Sequence, residues 1–221
     1  MAGVTGRFDD ALVWASELHR AQRRKGSGTP YLSHLLAVAG LVLEHGGDED
    51  QAIAGLLHDT IEDTDATRGD ISGRFGERVA DIVVACTDTD VQPKPPWLAR
   101  KQAYIDELQW VPADALLVSL ADKVHNARTI ATDHARDGDV YFSVFKGKLD
   151  GSRWYYRRLA DVYEARIAEL PAEVIDGRSR PGGAGLLAEL LIAIERFGAT
   201  ASAVADFEAN APSWVEGVHV D

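Results

Sequence analysis

The sequence predicts an all-α protein, a helical bundle with a short C-terminal helical extension. Nearly every segment repeats its apolar residues at the helical period, and none sustains the period of two expected of a half-buried strand. Glycine and proline clusters stop these segments at helix-like intervals. Residues 7–24 bring Phe8, Ala11, Leu12, Ala15 and Leu18 near one stripe, which predicts a helix ended by GSGTP at 26–30. A second helix is expected over 31–45, closed by Gly46-Gly47, and a third over 49–62. Thr67 followed by Asp70 reads as a capping box opening a short helix to Phe75, with another helix over 77–86. The three prolines of TDTDVQPKPPWLAR, residues 87–100, require a loop. Helices follow over about 98–108 and 113–131, then a polar loop or broken helix over 132–150, then a helix over 151–170. The expected layout is a main domain over 1–175, a linker over 176–185 (DGRSRPGGAG), and an extension of unknown role over 186–221. In that extension LLAELLIAIERF is helical and the tail has little pattern.

The totals narrow the function. With 221 residues, 46% of them hydrophobic and 26% charged, the chain can bury one sizeable core and is not of disordered type. A net charge of −12 opposes binding to a nucleic-acid polymer or an anionic membrane. No apolar run approaches membrane-spanning length and no signal core opens the chain, so the expected compartment is the cytoplasm. The lone cysteine, Cys86, allows no internal disulfide and lies in the apolar run IVVAC as an expected inert core residue.

Residues 56–65, LLHDTIEDTD, gather an imidazole and several carboxylates behind an apolar run. On one helix His58 and Asp59 are about 100° apart, with Glu62 and Asp63 each one turn further along. Burying such groups unpaired is costly, and a divalent cation offsets the cost. Two other predicted helices offer His34 among apolar neighbours and Asp122 in LLVSLADKVHNARTI. His34, His58, Asp59 and Asp122 would supply four ligands, a mixed imidazole and carboxylate set suited to Mn²⁺, Fe²⁺ or Zn²⁺. Taken singly, His34 reads as a hydrogen-bonded core histidine and Asp122 as a partner of Lys123 or Arg128. The combined order H…HDxxED…LADKxxN favours the metal.

The stretches ELHRAQRRKGSGTPYLSHLLAVA, AGLLHDTIEDTD, FGERVADIV and LADKVHNARTI, in this order, resemble the HD-domain metal-dependent phosphohydrolases. Within that group the chain is most similar to the RelA/SpoT-type hydrolase domain and the stand-alone small alarmone hydrolases, over roughly residues 8–170. The resemblance implies a helical fold, one Mn²⁺ ion or another divalent transition metal, and removal of the 3′-pyrophosphate from ppGpp-like nucleotides. Glu62 and Asp63 would then orient water and move its proton. One departure is Leu35, where the family usually has proline.

A strongly anionic substrate needs cations, and HRAQRRKGSG supplies Arg20, Arg23, Arg24 and Lys25. By resemblance Arg24 and Lys25 flank the base, while Asn126, Arg128 and Thr129 hold the ribose and its phosphates. Without it, the basic run is an ordinary solvated helix face. Tyr155, in RWYYRR, is a candidate for the nucleotide pocket and equally for the core. The expected partner is a small nucleotide, with guanosine-type and adenosine-type alarmones both open and a homo-oligomer left open too. The competing functions are another nucleotide phosphohydrolase, such as an NADPH phosphatase, and a non-catalytic nucleotide-binding module. A two-metal phosphodiesterase is disfavoured because His19, His45, His125, His134 and His219 form no second ligand set.

Overall fold

The structure, a computed structural model, describes residues 3–89, 93–170, 173–175, 178–180 and 182–210. The helices are α1 (Gly6–Leu18), α2 (Leu32–Glu44), α3 (Glu49–Leu57), α4 (Thr60–Asp63), α5 (Arg68–Phe75) and α6 (Glu77–Cys86). They continue with α7 (Trp97–Leu108), α8 (Ala113–Asp137), α9 (Lys148–Arg166), α10 (Ala184–Arg196) and α11 (Ala201–Asn210). Helix α8 is the axis of the bundle. It is buried without interruption from Ala115 to Asp122 and packs against α2, α3, α6, α9 and α10. A helix covered on so many sides loses the one-sided apolar stripe of a surface helix.

The approach of α3 to α2 depends on Gly55. A Cβ there would lie 3.1 Å from the Ala39 Cα, closer than two helices tolerate without shifting apart. This contact brings the middle of α2 against the end of α3. Local signals fix the other entries. Asp48 and Gln51 form a capping box at α3, and Thr67 and Asp70 form the expected one at α5. At α2 the Leu35 amide reaches the Tyr31 carbonyl at 3.4 Å, a bond proline would lack.

Several boundaries differ from expectation. Helix α1 stops at Leu18 rather than running to residue 24. The following backbone bonds forward instead: the Tyr31 amide donates to the Gln22 carbonyl and the Arg24 amide to the Thr29 carbonyl, at 3.1 and 2.9 Å. The basic run is therefore a turn, with Gly26 and Gly28 at positive φ. The third helix breaks at His58-Asp59, and α4 restarts beyond it. Helix α8 continues six residues past 131, and a 3₁₀ segment, Gly138–Val144, leads to α9. Residues 173–175 and 178–180 pair as short antiparallel strands, β1 and β2, partly within the expected linker. The patternless tail forms α11, which packs Phe207 on Trp154 of α9, and its last residues, 211–221, lie outside the described ones. Cys86 is buried, and burial pushes its thiol up to about 12. Among the described residues no helix is long and apolar enough to cross a membrane.

Candidate metal centre

His34 enters from the first turn of α2, His58 and Asp59 from the break between α3 and α4, and Asp122 from the buried part of α8. The His34 and His58 Nε2 atoms are 3.2 Å apart. The Asp59 Oδ2 lies 3.5 and 2.9 Å from them, and the Asp122 Oδ1 lies 3.2 and 3.5 Å from them. Bonds of about 2.0–2.2 Å to one ion place neighbouring donors about 3.0–3.5 Å apart, so the set fits a single divalent cation. His34, His58 and Asp59 form the tightest group, and Asp122 joins through both imidazoles.

The surroundings hold both rings with Nε2 inward. The His58 Nδ1 donates to the Gly55 carbonyl at 2.9 Å, which leaves a lone pair on Nε2. The His34 Nδ1 faces the His125 Nδ1 at 2.7 Å. Burial, the neighbouring His34 and Arg24 pull His125 down to about 3. A neutral His125 can accept the His34 Nδ1 proton, the supporting role that carboxylates and carbonyls play for metal-ligating histidines. From sequence His125 enters only as a candidate for a second ligand set, whereas its place three residues after Asp122, on the same face of α8, makes it a support for His34.

The centre is built for positive charge. Burial opposes ionisation of Asp59 and Asp122, yet His58 and His34 beside Asp59, and Lys123 with both histidines beside Asp122, hold the two carboxyls well below their usual range. The Lys123 ammonium contacts the Asp122 Oδ2 at 2.6 Å, so the ion pair weighed as an alternative coexists with the cluster. Tyr31 donates to the Asp59 Oδ2 at 2.5 Å. Burial and that carboxylate raise the phenol far above its usual range, keeping it a donor.

Glu62 and Asp63, both on α4, diverge rather than stack as one helix face. The Glu62 carboxylate meets the Lys94 ammonium at 2.7 Å, and the Asp63 Oδ2 accepts from the Gln22 Nε2 at 2.8 Å. Burial and the nearby Asp59 raise Asp63 above the usual carboxylate range. The Gln22 Oε1 in turn faces the buried His19 Nδ1. Lys94 and Gln22 carry no signal in the sequence, because their partners Glu62 and Asp63 lie 32 and 41 residues away.

Of the substrate-binding candidates, Arg24 donates to the Asn126 Oδ1 at 2.6 Å, and the Asn126 Nδ2 donates to the Asp122 Oδ1 at 2.5 Å. Asn126 thus ties a charged rim residue to the centre. Lys25 is exposed on the same turn. Thr129 and Arg128 line a cavity beside His125, with Arg128 also paired to Glu189 at 3.2 Å. Tyr155 lies in the core of α9, its ring 4.8 Å from the Lys101 ammonium and its hydroxyl without a hydrogen-bond partner.

Fold and site define a helical metal-dependent hydrolase class. Residues 11–145 match the HD domain family, and the chain belongs to it. It is 39% identical over 133 residues to human guanosine-3′,5′-bis(diphosphate) 3′-pyrophosphohydrolase MESH1, covering 59% of this chain and 73% of that protein. It is 38% identical over 123 residues to the probable guanosine-3′,5′-bis(diphosphate) 3′-pyrophosphohydrolase of Synechocystis, covering 54% of this chain and 16% of the longer relative. Among solved structures, a metazoan ortholog of SpoT, described as hydrolysing ppGpp and acting in starvation responses, superimposes with a TM-score of 0.70 at 25% identity. That match covers 90% of this chain and all of the other. The lmo0812 protein of Listeria monocytogenes matches with a TM-score of 0.61 at 27% identity, over 77% of this chain and 99% of that one.

Proposed function

We propose that this chain is a guanosine-3′,5′-bis(diphosphate) 3′-pyrophosphohydrolase, removing pyrophosphate from ppGpp and pppGpp with one Mn²⁺ held by His34, His58, Asp59 and Asp122. The observation that carries the reading is the convergence of these four donors, with the Glu62 and Asp63 carboxylates one short helix away. The relatives named for this reaction support it. A divalent cation supplies Lewis acidity for a phosphoryl group and eases deprotonation of water.

The protein's own groups do the rest. Asp63, oriented by Gln22 and raised in proton affinity, takes a proton from the attacking water. The water oxygen bonds to the phosphorus next to the ribose 3′ oxygen, the P–O3′ bond breaks, and the 3′ oxygen takes up a proton. Pyrophosphate leaves as one unit. Glu62, paired with Lys94, orients the water. Arg24 and Lys25 at the rim meet the nucleotide, and an arginine can stack on a purine as well as pair with phosphate. Tyr155 serves this site only through packing in α9, and the enzyme works in the cytoplasm.

The test is a nucleotide panel with and without Mn²⁺, with products resolved by chromatography. The expected result is Mn²⁺-dependent release of intact pyrophosphate from ppGpp. Stepwise orthophosphate, or preferential turnover of NADPH, would replace this reading with a broader phosphatase.

A further inference from the structure

Gly147 and Gly151 stand one turn apart at the start of α9, where the Gly151 amide donates to the Gly147 carbonyl at 3.0 Å. Neither needs glycine for its backbone. Gly147 has φ −74°, Gly151 lies within the helix, and neither has a positive φ. At Gly151, inside the helix, alanine would be the better helix former. What excludes a side chain at both positions is the Trp97 ring. A Cβ at Gly147 would overlap that ring, and one at Gly151 would lie 3.0 Å from it. Trp154 and Tyr155 of the same helix meet the ring edge-on, with centroids 6.2 and 6.4 Å away. The two glycines form a seat for Trp97, and Phe207 of the C-terminal extension packs on the same Trp154.

Trp97 opens α7 and ends the segment Lys94-Pro95-Pro96-Trp97. Proline fixes φ, and Pro96 is extended with ψ 142°, so the two prolines make a stiff spacer between the ring and Lys94. At the far end of the spacer the Lys94 ammonium meets the Glu62 Oε1 at 2.7 Å. Arg100, in the first turn of α7, is engaged with Asp88 and stays 4.0 Å from Glu62. Lys94 is thus the near cation of Glu62. Ion pairs between long, partly exposed side chains are weak because pairing costs both partners their freedom. A lysine whose backbone is already held by an anchored, stiff segment has less freedom to lose.

We infer that Trp97 is a positioning residue: seated on Gly147 and Gly151, it holds Lys94 against Glu62 through the two prolines. This rests on the role of Glu62 in the reaction proposed above. Trp97 acts through Lys94, so a change at the seat should behave as a change at Lys94.

The first readout needs no substrate. The metal-loaded protein is acylated with acetic anhydride, and the rate at each lysine is read by mass spectrometry. Lys94 should label slowly in wild type and severalfold faster in Trp97→Ala, in Gly147→Ala and in the reference variant Glu62→Gln, with Lys25 unchanged throughout. Trp97→Phe, which keeps an aromatic ring in the seat, should stay near wild type. The second readout is a double-mutant cycle in kcat/KM for ppGpp. Lys94→Ala should lower it about 10- to 100-fold, the worth of a hydrogen bond between charged groups. Trp97→Ala should show most of the same loss, and the double variant should fall within about twofold of Lys94→Ala alone, since independent effects would multiply. Gly147→Ala keeps the indole and takes the place of Trp97→Ala in the cycle if that variant does not fold. Losses that multiply, or Lys94 labelling at the wild-type rate in the seat variants, overturn the assignment. Faster Lys94 labelling in the seat variants of a protein that does not turn over ppGpp upholds the positioning role and sinks the proposed reaction instead.

Discussion

The Gln22 side chain donates from Nε2 to the Asp63 Oδ2 at 2.8 Å, across 41 residues of sequence. Because a carboxylate only accepts, this bond fixes the orientation of the Gln22 amide and turns its Oε1 toward His19. His19 stacks on Tyr31, which donates to Asp59. One buried histidine thereby steadies both a proposed proton acceptor and a proposed ligand.

Gln22→Leu should lower kcat by about 10- to 100-fold, the usual cost of losing such a supporting bond, with metal content and KM nearly unchanged. His19→Phe keeps the stacked ring but frees the Gln22 amide, and should show a smaller loss of the same kind. Steady-state kinetics beside elemental analysis decides the matter. A rise in KM with kcat intact would make Gln22 a substrate contact.

Glu62→Gln and Asp63→Asn should retain a full equivalent of metal and lose about 10²–10⁴-fold in kcat, the contribution of a positioned acid–base group. Wild-type rates in both variants would place proton transfer elsewhere.

His58→Ala should lose the metal, since it removes a buried donor within 3.5 Å of each other member of the cluster. Chelation of the wild-type protein should lower its melting temperature, because an ion bound only to the folded state stabilises it by mass action. A His58→Ala protein that still carries one equivalent of ion refutes the ligand set.

Helix α11 is tied to α9 through Glu208, which accepts from the Arg158 Nε at 2.9 Å and from the Trp154 Nε1 at 3.1 Å. Arg158 lowers the Glu208 proton affinity most, burial opposes it, and Trp154 adds a lesser lowering. A depressed carboxyl stabilises the fold above its unfolded value, about 4.3, and that contribution fades as pH falls through the folded value. Glu208→Gln should therefore cost about 0.2–1 kcal/mol at neutral pH, the range for exposed pairs. The difference from wild type should narrow as pH falls below about 4.3 and on through the lower folded value. Melting curves at pH 7 and pH 3.5 check this, and a difference that persists at the acid end would assign the loss to packing.

By itself the sequence determined the helical class, the capping box at α5, and which residues could be ligands. Periodicity, caps and an ionisable cluster beside apolar runs are local patterns. His34, His58, Asp59 and Asp122 stood out because each is a polar group set against an apolar run. Only the tertiary structure decided the rest. Helix α1 stops at Leu18 because Gln22 and His19 find partners beyond its own turn, and helix propensity does not register a bond to Asp63. The break at His58-Asp59 and the divergence of Glu62 and Asp63 come with partners from other segments, the Lys94 ammonium and the Gln22 amide. Helix α11 has only two large apolar residues, Val204 and Phe207, and they become core only because α9 presents a surface to cover them. His125 gains meaning the same way: a polar side chain on a long helix becomes a support only when packing sets another group, here His34, against it.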